Sequence, residues 1–148
     1  MIVEQMTWHA NHQMEEGSMS YLSDVEAWRH FYRIYLNFAA EPSNVRLGLC
    51  TNGFASHGQY GGTYSYWPVM LTRYNLSPGM CMSSEYMFLR IVIPGSSNVK
   101  RLIDVYLKLL IEELQNLWHV GVLMCNKVKN ETFAMRAALI WTVNDLPA

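Results

Sequence analysis

Cysteine is scarce in this sequence: Cys50, Cys81 and Cys125 are odd in number and far apart. No Cys-x-x-Cys pair is present to form a zinc site or a dithiol redox motif, so a reducing compartment inside the cell is expected. An excess of one charge is missing too. Eleven Lys plus Arg face twelve Asp plus Glu, a formal charge of -1, so no polyanion would be held by bulk charge. Long apolar runs are absent: no basic region precedes an apolar one at the start, and the most apolar stretch, Tyr86 to Ile93, is interrupted by Arg90. Secretion and a membrane span are therefore not expected. Aspartate is limited to Asp24, Asp104 and Asp145, which restricts chemistry that needs clustered Asp carboxylates.

What is present suits one ordinary core, since 148 residues with 51% hydrophobic content correspond to about one domain. Residues Met1 to Gly17 carry no clear period and read as a lead-in without assigned structure. Ser23-Asp24-Val25-Glu26 fits a capping box. It opens a helix over about 24–38, with Val25, Trp28, Phe31, Tyr32 and Tyr35 on one face and Arg29 and Arg33 on an exposed edge. Val45 to Thr51 alternates at period two and predicts a strand closed by the turn signal Asn52-Gly53. Further strands are predicted over Thr63 to Tyr74, weakened by Pro68, and over Tyr86 to Ile93, ended by Pro94-Gly95.

A second helix is predicted from about Arg101 to Trp118. Ile103, Tyr106, Leu107, Leu110, Leu114 and Leu117 line its apolar face, Asp104 and Lys108 form an i,i+4 pair, and Gly121 takes the left-handed cap position. A short extended piece, Val122 to Cys125, follows. Phe133 to Val143 is apolar enough for a buried strand that delivers Asp145 at its tip. Helix, three strands, helix, strand is the order of a mixed α/β sheet covered by helices.

Most candidate chemistry reads as packing or surface. His9-x-x-His12 has no Cys or Glu partner at ligand spacing and is expected to be a surface pair. Cys50 and His119 have no flanking residues that would activate a thiol. Gly53 to Gly58 has phosphate-loop glycine spacing, but Gln59-Tyr60 stands where Lys-Ser/Thr is needed. Tyr64 to Trp67 and Met80-Cys81-Met82 read as core. The acceptor tripeptides starting at Asn75 and Asn130 are read as unused. Asn52 and Asp145 close the first and last strands, where two carboxylates could meet over a metal ion. By pattern alone, each is a turn residue.

Several blocks taken together are more specific. They are Asn52-Gly53-Phe54 after Leu47-Gly48-Leu49-Cys50, Tyr64-Ser65-Tyr66-Trp67-Pro68-Val69, Tyr74-Asn75-Leu76, Met80-Cys81-Met82, Ile103-Asp104-Val105-Tyr106-Leu107, and the run Met135 to Ala148. In combination and order they resemble the transposase of plant CACTA (En/Spm-like) DNA transposons. The resemblance implies a ribonuclease-H-like mixed sheet with flanking helices, in which three acids hold Mg2+ for DNA strand cleavage and transfer. It implies a flanking segment over 1–43 and a partial, truncated core over 44–148, with the final strand and helix missing.

Of the acids so implied, Asp145 matches the second, the first falls on Asn52, and the third lies beyond residue 148. An amide offers a metal one oxygen but no charge, so Mg2+ is expected to bind weakly or unproductively and the chain to be inactive. Other departures, such as Tyr66 for Cys, Ser77 and Ser96 for Pro and Leu109 for Pro, each lie one C-to-T or G-to-A transition from the family residue, whereas Arg73 and Val99 for Pro do not. DNA, self-association or pairing with a full-length transposase are the implied partners, and the nucleus, or else the cytoplasm, is the implied location. The alternatives are a non-catalytic protein- or DNA-binding module, and an expressed remnant without selected function.

Overall fold

The computed structural model describes residues 2–12, 25–57, 63–95, 99–126 and 130–145. Strand β1 (Val45–Asn52) and strand β2 (Phe54–His57) form one extended arm antiparallel to β3 (Thr63–Arg73). β4 (Met87–Gly95) adds antiparallel to the other side of β3. Helix α6 (Val99–His119) then returns the chain along the sheet, and β7 (Ala137–Asp145) adds parallel to β1. Between α6 and β7, β5 (Val122–Asn126) and β6 (Glu131–Met135) make a separate antiparallel hairpin. Upstream lie the short helices α1 (Ile2–Met6), α2 (Trp8–Asn11), α3 (Glu26–Ile34) and α4 (Leu36–Ala39), and α5 (Pro78–Cys81) follows β3. The result is the expected mixed sheet with flanking helices.

β1 is central and is covered on both faces. Val45, Leu47 and Leu49 pack with the apolar side of α6, which presents every residue anticipated for it, from Ile103 to Leu117. On the other face Arg46 lies against Phe38 of α4 and Tyr32 of α3, and the Tyr74 ring fills the space over Gly48. Helix α3 reaches the same layer through Trp28, which is 2% exposed and sits against Trp141 of β7. Phe31 and Phe38 continue around to Trp118 of α6, so the upstream helices wrap from one face of the sheet toward the other.

Several expectations need correction. The chain before residue 12 is helical where no period predicts it, because α1 and α2 are too short to stand alone and are held by tertiary contacts. The single helix over 24–38 is two helices, broken at Tyr35 (φ -109, ψ 61). Ser23 and Asp24 of the proposed capping box lie outside the described residues, and α3 begins after Val25 with no side-chain cap. Asn52-Gly53 is not a turn. The arm continues extended into β2, and Gly53 is required by close approach, since a Cβ there would come within 2.6 Å of the Trp67 ring.

Pro68 is tolerated because the ladder between arm and β3 breaks opposite it, between the Thr51–Val69 and Phe54–Tyr66 pairs. β4 runs on through Pro94 along the sheet edge. The Phe133 to Val143 run divides at Arg136 into β6 and β7, which belong to different sheets. Gly121 adopts the anticipated positive φ of 77°. Lys108 pairs with Glu112 at 3.9 Å rather than with Asp104.

Helix α6 runs unbroken for 21 residues, with Leu109 at its middle and 72% exposed. Proline at 109 would delete the hydrogen bond to the Val105 carbonyl and clash with it. Leu109→Pro is expected to lower stability by about 3 kcal/mol, read as a fall in the urea midpoint.

Candidate functional site at the ends of two parallel strands

Parallel neighbours place like ends together, and the register of β1 on β7 makes Asn52 the direct partner of Asp145. The two Cα positions therefore lie about 5 Å apart at one end of the sheet. A bulge between Leu47 and Gly48 sets this register: Leu47 pairs with Leu139 but Gly48 pairs with Trp141, which shifts the rest of β7 by one residue. Below the pair, Thr51 is buried; beyond it, Gly53 is pinned under Trp67, so the end of β1 is positioned from two sides. Asn52 is exposed. The two residues singled out from the sequence are thus brought together, although 93 positions separate them (145 minus 52).

As a donor set, one carboxylate and one amide supply a single negative charge. Among the described residues, no group of three His, Cys, Asp or Glu could hold a metal ion. These residues alone do not fit a two-ion phosphoryl-transfer centre, which needs several anionic oxygens.

The other candidates stay apart. Cys50 lies near the Asn52 end of β1, whereas His119 ends α6 beside Leu117, which packs on Val45 at the opposite end. Gly58 of the glycine-rich loop lies outside the described residues. Asn75 is fully buried with both side-chain polar atoms engaged, which closes it to glycosylation. His9 and His12 diverge. His12 stacks on Trp8 at 4.7 Å, while His9, expected at the surface, is 3% exposed and sits 5.8 Å from the Trp28 ring.

His9 is buried with neither ring nitrogen hydrogen-bonded. Burial first, and the Arg46 guanidinium second, push its pKa down to about 4, against a smaller opposing effect of the Asn75 backbone. The unfolded chain takes up this proton near pH 6.5, so between the two values the unfolded state holds more protons and stability rises with pH. Full above about 6.5, the contribution is lost as pH falls toward 4, and about 2 kcal/mol should vanish between pH 7 and 5. Urea midpoints at the two pH values check this, and His9→Phe should flatten the difference.

A polar lock that the sequence did not announce holds the opposite end of the sheet. The Asn75 amide nitrogen donates to the carbonyls of Met6, Asn44 and Pro42 at 3.0, 2.8 and 3.3 Å, while its Oδ1 accepts from the Arg46 backbone N–H at 2.7 Å. Asn44 Nδ2 donates to the Phe38 carbonyl at 3.0 Å, and its Oδ1 accepts from the Arg136 N–H at 2.8 Å. The Tyr74-Asn75-Leu76 block was the only signal that could have found it.

A family model described as "Transposase family tnp2" matches residues 16–148. No curated protein and no solved structure matches the chain.

Proposed function

The chain belongs to the transposase family tnp2, and from that membership we propose that residues 44–148 are part of a ribonuclease-H-like core of the plant CACTA (En/Spm-like) type. Residues 1–43 are its flanking segment. The ancestral reaction is magnesium-dependent DNA strand cleavage and transfer, and this chain by itself has lost it.

The observation that carries the reading is the pairing of Asn52 with Asp145 at adjacent parallel strand ends. An antiparallel meander, then a helix, then a strand parallel to the first is the connectivity that supports a ribonuclease-H-like assignment. Loss of activity follows from charge: Asn52 leaves the ion one carboxylate where two neighbouring acids would attract it. DNA as partner and the nucleus as location follow from family membership. No described helix is long and apolar enough to cross a membrane.

Asn52→Asp is expected to tighten Mn2+ binding roughly tenfold or more by restoring a second adjacent carboxylate. Asp145→Asn should reverse the gain; equal affinity in all three proteins would remove the site. The unmodified chain should leave a transposon-end duplex intact in Mg2+, and cleavage that disappears in Asp145→Ala would overturn the loss of activity.

One observation favours a second reading, a non-catalytic module that pairs with a full-length transposase. Among the described residues β7 is hydrogen-bonded to β1 alone, with Leu139 and Val143 exposed beside its other edge. Capture of purified full-length transposase without cleavage would support that reading.

A further inference from the structure

A second concavity lies at the other end of the sheet from Asn52 and Asp145. Val45 begins β1 there, Arg73 ends the antiparallel β3, and the β5–β6 hairpin closes over them to leave a cavity of about 360 Å3. That volume falls within the range of small-molecule sites. Met6, Phe88, Met124, Phe133 and Met135 supply apolar walls, and thioether side chains adapt readily to varied shapes.

Among the described residues that line it, Arg73 carries the one charge. Its guanidinium lies 4.6 Å from the Phe88 ring centroid and 5.8 Å from that of Tyr86. The Nε atom is buried with no hydrogen-bond partner, and no described carboxylate forms an ion pair with this residue. Partial burial pushes the guanidinium pKa down, against a smaller opposing effect of Tyr86. A ligand with one carboxylate would complete the Arg73 fork, and an apolar tail would cover the methionines. A second charge on that tail would be stranded among apolar walls.

We propose that this cavity binds an amphipathic monocarboxylate, with Arg73 holding the carboxylate and the Met- and Phe-rich walls holding the tail. Nothing in the proposal depends on transposase chemistry, since the site is separate from the Asn52–Asp145 pair.

Cys125 lines the same cavity and is exposed, whereas Cys81 is buried and Cys50 is half-buried, so thiol alkylation located by mass spectrometry reports occupancy. Decanoate is the probe, applied to the full chain. It should protect Cys125, while 1-decanol and decanedioate should require about tenfold higher concentration or more, and Arg73→Gln should weaken decanoate protection by a similar factor. Arg73→Lys, which keeps the charge without the fork, should fall between. Equal protection by 1-decanol, or undiminished decanoate protection of folded Arg73→Gln, would overturn the proposal. If Arg73→Gln does not fold, the comparison of decanoate with 1-decanol on the unmodified chain decides alone.

Discussion

Asn75→Ala is expected to lower stability by about 4 kcal/mol, the sum of several buried groups left without partners at roughly 1–3 kcal/mol each, partly relieved by water. The side chain is fully buried and joins four backbone groups on three segments: Met6 of α1, Pro42 and Asn44 before β1, and Arg46 within it. Truncation strands the Arg46 N–H and the Asn44 carbonyl in the interior. Asn75→Asp should be worse still. It retains an acceptor for Arg46, but it presents oxygen, and burial-penalised charge, to three carbonyl oxygens that need a donor. Urea unfolding of both variants checks the order, and Asn75→Asp at least as stable as Asn75→Ala would contradict the donor role.

Trp28→Ala is expected to cost a comparable 3–5 kcal/mol, the usual loss for a buried tryptophan that leaves a cavity. Its indole stands at the meeting point of α2, α3 and β7, with His9 and Tyr32 each 5.8 Å away and Trp141 6.1 Å away. Without it, α2 and α3 lose their shared contact with β7 and α1 keeps only the links made by Met6, whereas α6 on the opposite face keeps its own contacts. Hydrogen exchange should therefore accelerate first in residues 2–11 and 26–34 and least in α6. Uniform acceleration throughout the chain would show that the two layers do not separate energetically.

The same Trp28 layer shows how far sequence reading extends. The 24–38 periodicity identified Trp28, Phe31 and Tyr32 as an apolar face, because helix spacing is a local property. It did not anticipate the break at Tyr35, where the chain turns so that Phe38 can reach Arg46 and Trp118. Nor could it place His9 inside: a histidine in a segment without period becomes buried only because α3 and the turn at Asn75 close over it. Asn52-Gly53 misled for a related reason. Its dipeptide signature favours a turn in isolation, but pairing with β3 on either side of it, at Thr51–Val69 and at Phe54–Tyr66, keeps the arm extended.

For the candidate site, the residue types were legible and their neighbourhood was not. The chain by itself determined the central strand, the apolar face of the long helix, the glycine at position 121, and the acid and amide that close two strands, since each depends on local periodicity or on a single side chain. Tertiary structure alone decided that β7 joins β1 in parallel, and that a one-residue bulge near Gly48 aligns Asn52 with Asp145. It also decided that Asn75 clamps three segments and that Arg73 is left facing an apolar cavity. Such relations join residues tens of positions apart, and only the burial of both faces of β1 brings them together.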